Sequence, residues 1–203
     1  MSEQINVFTP QQWRAMTVPG VYTTGHPPTD WQSEQLLQWK QKIIDYQREQ
    51  TQILYHQTDL FAPATTPPLL NPLALAAQGG HWFRMARELA PNEPCIYFIL
   101  DRAAPLILYI GETVHLRRRW QGHHDGKTYL SYYLDSHRRH QLPTQIHWVW
   151  VWHVPRATRL RQQWERQLIH HWLPPFNKES WGRWGADTFT LNTTEHHCST
   201  VQR

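Results

Sequence analysis

Two apolar, β-prone runs separated by five residues constrain this chain most: CIYFIL at 95–100 and LILYI at 106–110, with DRAAP between them. Each run is shorter than a typical helix, and turn-forming residues bound both, so the pair predicts a β-hairpin. A third run, QIHWVWVWHV at 145–154, places Ile146, Trp148, Trp150, Trp152 and Val154 on one face and His147, Val149, Val151 and His153 on the other. Bulk on both faces predicts a strand covered on both sides, hence the central strand of its sheet.

Elsewhere the apolar period is helical. Leu36, Trp39, Ile43, Tyr46 and Ile53 predict a long helix from Thr29, where Thr29 and Gln32 form a capping box, to about Tyr55. Its remaining faces are Gln-rich and charged, so the stripe needs a partner, in this chain or in a second copy. The Pro-rich stretch FAPATTPPLLNP reads as a linker, followed by a second helix over Leu73 to Leu89, interrupted near Gly79 and Gly80. Further helices are predicted from about Thr113, as a short piece within 125–144, and from Thr158 to Trp172, where LPPFN stops the last one. The chain divides into a mainly helical N-terminal extension (1–90), an α+β domain (91–185) and a C-terminal tail (186–203).

Charge separates the same halves. Residues 1–94 hold 6 Lys/Arg against 8 Asp/Glu (net −2), and residues 95–203 hold 14 against 8 (net +6). The positive half is the candidate for meeting a polyanion. The two cysteines, Cys95 and Cys198, lie far apart without metal-ligand spacing, which favours a reducing compartment. No apolar run approaches the roughly 20 residues that span a bilayer, and the N-terminus has no signal-peptide pattern. A soluble, cytoplasmic protein with no membrane partner is the expectation.

Two charges interrupt apolar helical faces. Leu116, Arg119, Trp120 and His123 fall at i, i+3, i+4 and i+7, so the arginine and histidine are expected to face inward. Glu165, Leu168, Ile169 and Trp172 repeat the pattern with a carboxylate. Such a carboxylate should be paired with Arg161 or Arg119, protonated, or bound to a cation. His137, His140, His170, His171, His196 and His197 read as solvated or rim residues.

Taken together, CIY at 95–97, YIG at 109–111 after eleven intervening residues, Arg119, His123, Glu165 and Asn177 resemble the GIY-YIG nuclease domain over about residues 94–180. Cys95 stands where that family has glycine, and the gap from Glu165 to Asn177 is short. The resemblance implies a small three-stranded antiparallel sheet flanked by helices, and metal-dependent cleavage of DNA. It implies that Glu165 holds Mg²⁺ (or Mn²⁺), that Arg119 meets the scissile phosphate and that His123 relays or donates a proton. One of Tyr97 and Tyr109 would orient or deprotonate the attacking water; the sequence leaves open which. Asn177 reads as a tether across the site rather than a reacting group. Arg117, Arg118, Lys127, Arg138, Arg139 and Lys178 are the candidate DNA contacts. A homodimer through the N-terminal helix is expected, and the competing function is a catalytically silent DNA-binding or interaction module of the same fold.

Overall fold

The computed structural model describes residues 31–56, 70–78, 92–121 and 125–184. In chain order these form helix α1 (Ser33–His56), a 3₁₀ turn (Pro72–Ala74), strands β1 (Cys95–Asp101) and β2 (Leu106–Thr113), helices α2 (Leu116–Gln121) and α3 (Asp125–Arg139), strand β3 (Ile146–Val151), helix α4 (Thr158–Trp172), a second 3₁₀ turn (Lys178–Ser180) and the short helix α5 (Trp181–Trp184). The fold is α+β, with one three-stranded antiparallel sheet flanked by helices.

The strand order is β2-β1-β3, so β1 is central and β3 lies at an edge, contrary to the expectation from its tryptophans. All seven β1 residues are buried. The bulk on both faces of β3 reflects layers above and below the sheet, not a strand on each side. On one face Trp148 and Trp150 join Cys95, Tyr97 and Ile99 beneath α1, α2 and α3. On the other, Val149 joins Ile96, Phe98 and Leu100 beneath Leu168, Ile169 and Trp172 of α4. The outer edge of β3 is met by Gln78, whose N–H donates to Trp148 O and whose Oε1 accepts from Trp150 N–H, each at 3.0 Å.

Strand β2 contains an irregularity that matters for the site. Tyr109 pairs with Ile99 and Ile107 with Leu100, which leaves Leu108 as an extra residue. Such a bulge breaks the alternation of side chains. Leu108 and Tyr109 consequently pack on the same face, while Ile107 and Ile110 pack on the other.

Helix α1 starts at Ser33, where Gln35 Oε1 accepts from the Gln32 N–H at 2.9 Å. This is half of a capping box, three residues on from the expected one, and Thr29 lies outside the described residues. The apolar stripe of α1 does not form an intermolecular seam: Leu36, Trp39, Ile43 and Ile44 are buried in the chain's own core. Nor does a second helix begin at Leu73. After the 3₁₀ turn the chain is non-helical to Gln78, consistent with its contact to the β3 edge, and residues 79–91 lie outside the described ones. Helix α3, expected as a short piece, runs for 15 residues. Helix α4 has the expected bounds.

A buried charge pair fastens α1 to the β1–β2 hairpin. Asp101 accepts from Lys40 Nζ at 3.2 Å, from Tyr133 Oη at 2.6 Å, and from the Ala103 and Gln145 N–H groups at 3.0 and 2.8 Å. Every oxygen is engaged, as a buried carboxylate requires. His137 packs on Tyr133 with ring centroids 4.0 Å apart and is buried rather than solvated. Burial, and then the Lys40 charge, pulls its pKa down to about 4, so it is neutral at ordinary pH. No helix among the described residues is long and apolar enough to cross a membrane.

Candidate active site

The site forms where β2 leaves the sheet. Tyr97 on β1 lies opposite Gly111 on β2 in the strand register. Its ring covers the glycine so closely that a Cβ there would sit 2.3 Å from both Cζ and Oη. Only glycine fits beneath the phenol, which is the physical reason for the third letter of YIG. The Tyr97 ring also stacks on Tyr109 (centroids 6.0 Å apart) and meets Trp120 and Trp148 at 6.0 and 5.8 Å. It is completely buried, and burial pushes its phenol well above the usual range. Tyr109, rotated to the same face by the bulge, is half-buried and borders open space. Burial and the Glu165 charge push it up to about 12.

That open space is a cleft of about 320 Å³. Tyr109 of β2, Arg119 of α2 and Glu165 of α4 line it, with Tyr129 of α3 and Asn177 and Lys178 of the segment after α4. Four of the six residues expected at the site thus share one cavity. Tyr97 stands behind Tyr109, and His123 lies outside the described residues. Arg119 departs from its expected burial: Leu116 and Trp120 turn inward, but Arg119 is exposed on the cleft rim. A guanidinium that stays hydrated there avoids the desolvation cost of the core.

Glu165 Oε1 accepts from the backbone N–H of Glu112 at 3.0 Å. Its pKa is pushed up to about 7, first by burial, then by the carboxylates of Glu112 and, more weakly, Glu179, against the opposing Glu112 N–H and Arg119. Neither arginine considered as its partner forms an ion pair with it among the described residues. Arg161 is instead buried against Glu112, with Nε 2.5 Å from Glu112 Oε2, and its Nη1 donates to the carbonyls of Pro155 and Arg156 at 3.1 and 3.0 Å. Glu112, directly after YIG, was not singled out as a site residue. Its position next to the motif was the available signal.

Asn177 is a clamp. Its Oδ1 accepts from the Ile110 N–H at 2.9 Å and its Nδ2 donates to Ile110 O at 2.8 Å. These are the outward-facing peptide groups of an edge strand, between Tyr109 and Gly111. Of the candidate DNA contacts, Lys178 lines the cleft, with Nζ 5.7 Å from the Trp181 ring centroid. Arg118, Arg138 and Arg139 are exposed, and Arg117 and Lys127 are half-buried. Arg138 is paired with Asp135 at 3.2 Å.

Residues 93–179 match the family model of the GIY-YIG catalytic domain. This segment belongs to the GIY-YIG family. No curated protein and no solved structure matches the chain.

Within the GIY-YIG domain, Cys95 fills the place of the first glycine as a small buried residue, its thiol pushed up to about 12 by burial. The domain points to nuclease-type chemistry, which in this family is generally metal-dependent. The donor set suits a hard dication: Glu165 offers a carboxylate in a pocket that also holds Glu179. Among the described residues no group of three His, Cys, Asp or Glu could enclose an ion. One carboxylate is what a Mg²⁺-type ion that keeps most of its waters requires.

Proposed function

We propose that the cleft is the active site of a metal-dependent DNA endonuclease that hydrolyses phosphodiester bonds. The observation that carries this reading is the meeting of Arg119 and Glu165, from two different helices, on the cavity that Tyr109 borders.

Each side chain has a role that its chemistry supports. The planar fork of Arg119 binds the scissile phosphate through two oxygens and stabilises the charge gathering on them during in-line attack. The Tyr109 oxygen, once its phenol has given its own proton to solvent, orients the attacking water as phenolate and takes its proton as the new P–O bond forms and the bond to the leaving oxygen breaks. Its phenol is protonated in the free chain, and Arg119, which lowers its pKa, supplies the protein's own pull toward phenolate. Tyr97 is a backing wall: its ring fixes Tyr109 by stacking and never meets the cleft. His123 is assigned the proton for the leaving oxygen. Glu165 would hold Mg²⁺ or Mn²⁺, which when bound supplies positive charge to the phosphate oxygens. Asn177 keeps the Tyr109–Gly111 backbone in register.

Lys178 extends the phosphate contacts beyond Arg119, and Arg117, Arg118, Lys127, Arg138 and Arg139 are assigned to the DNA backbone. Lys127 and Arg138 sit roughly 17 Å apart along α3 at 1.5 Å per residue, so one duplex would contact both by lying along that helix. A cytoplasmic location belongs to the same proposal.

The experiment is cleavage by the full chain of plasmid, branched and single-stranded DNA with Mg²⁺ or Mn²⁺, beside Glu165→Gln. The expected result is metal-dependent nicking that the variant loses while still binding DNA. Undiminished, metal-independent cutting by the variant would overturn the mechanism. Binding without cutting by the unaltered chain on every substrate would select the silent module.

A further inference from the structure

Gln47, two-thirds of the way along α1, lies outside the residues that match the GIY-YIG domain, yet its side chain is fully buried against it. Oε1 accepts from the Ile107 N–H at 2.8 Å, and Nε2 donates to Ile107 O at 3.0 Å and to Trp172 O at 3.1 Å. Strand β2 is an edge strand, so the outward peptide groups at Ile107 have no neighbouring strand to meet. Trp172 is the last residue of α4, where helix carbonyls lack intrahelical partners. One amide answers both needs.

Asn177 makes the same two-point clamp on the same edge, three residues further along at Ile110. Between the two clamps lie only Leu108 and Tyr109, the bulge and the tyrosine it turns toward the cleft. A bulged edge strand is weakly fixed in register unless its outer side is tied. Helix α1 ties neighbouring parts of the frame as well: Tyr46 Oη donates to His171 O at 3.0 Å and Trp39 Nε1 to Trp184 O at 2.8 Å.

We propose that Gln47 is a positioning residue of the active site, and α1 therefore part of the catalytic unit. By joining Ile107 of β2 to Trp172 of α4, Gln47 sets the placement of Tyr109 relative to Glu165. The kinetic consequence rests on the nuclease reading above; the structural consequence rests on the hydrogen bonds alone.

The test compares Gln47→Met, which keeps the volume and removes all three bonds, with Ile43→Val, which trims the same helix without removing a hydrogen bond to β2, both in the full chain. Gln47→Met is expected to lower kcat about tenfold through misplacement of the reacting groups, with DNA affinity within about twofold, and to speed amide exchange at Ile107 and Ile110. Ile43→Val is expected to lower Tm while leaving kcat and Ile110 exchange unchanged. Should Gln47→Met not fold, Gln47→Glu, which keeps the acceptor and loses both donors, takes its place. An unchanged kcat in the Gln47 variant overturns the proposal, as does an equal loss of kcat in Ile43→Val. If the unaltered chain cuts no DNA, the nuclease reading falls by itself. Ile110 exchange then decides: acceleration supports the linked clamps, and no change overturns them.

Discussion

The backbone N–H of Glu112 donates to Glu165 Oε1 at 3.0 Å while the side chain of the same Glu112 is gripped by Arg161 at 2.5 Å. One residue thus holds a site carboxylate with its main chain and crowds it with its own charge. Burial first, and the Glu112 charge second, push the Glu165 pKa up to about 7, against the pull of that N–H.

A carboxylate whose folded pKa is raised to about 7, from an ordinary value of 4.5, favours folding while protonated. That contribution is full below the ordinary value and is lost as pH rises through about 7. Glu165→Gln, which is never charged, should therefore melt at a higher temperature than the unaltered chain at pH 8, without added metal. The difference should shrink as pH falls and vanish near pH 4. Melting curves across this range check it; a variant less stable at pH 8 contradicts the raised pKa of buried Glu165.

Arg161 is almost fully buried and engages Glu112 and two carbonyls. Replacing it with leucine leaves those groups without their partner, at a cost of about 3–5 kcal/mol. Adding Glu112→Gln should recover part of that loss, with a coupling of roughly 0.5–3 kcal/mol between the two substitutions. Urea unfolding of the two single variants and the double variant measures it, and simple additivity would show that the pair is not a unit.

Arg119→Ala should lower the cleavage rate on the order of 10²-fold or more, as losing a preorganised charge at a transition state does. Because Arg119 is exposed, its Tm should hardly change. Single-turnover kinetics beside a melting curve separates the two effects. Arg119→Lys should restore binding better than rate, since lysine lacks the planar fork.

Gly111→Ala forces a methyl group into the Tyr97 ring, where no room exists. The expected cost is about 1–3 kcal/mol, typical of overpacking. Removing only the Tyr97 hydroxyl should not relieve it, because Cζ is as close as Oη. Denaturant midpoints of Gly111→Ala with and without Tyr97→Phe report this.

Asn177→Ala leaves the Ile110 N–H and carbonyl of a buried strand edge unpaired, each worth about 1–3 kcal/mol. Asn177→Asp keeps the acceptor and loses the donor, so it should be intermediate at Ile110 in hydrogen exchange. Equal protection of Ile110 in all three proteins would show that the clamp does not hold β2.

Much of the fold was legible locally. The apolar, β-prone runs CIYFIL and LILYI, bounded by turn formers, marked the hairpin, and the spacing of Leu168, Ile169 and Trp172 marked α4 with its bounds, because composition and helical period are properties of a single segment. The meeting of Tyr109, Arg119, Glu165 and Asn177 on one cleft followed from the motif. Other features were not legible. Bulk on both faces of β3 said that layers cover it, but not that β1 would occupy the centre. An apolar stripe on α1 said that it needs a partner, but not that the partner is its own sheet.

The amino-acid sequence by itself determined the β1–β2 hairpin, the β3 run and helix α4, and it marked the side chains proposed to carry the chemistry. The tertiary structure decided strand order, the choice of Glu112 over Glu165 as the partner of Arg161, and the recruitment of Gln47 to the β2 edge. The physical reason is distance along the chain. Arg161 and Glu112 are 49 residues apart and Gln47 and Ile107 are 60 apart. A charge or an unpaired peptide group selects its partner through space, among all the groups that folding brings near it.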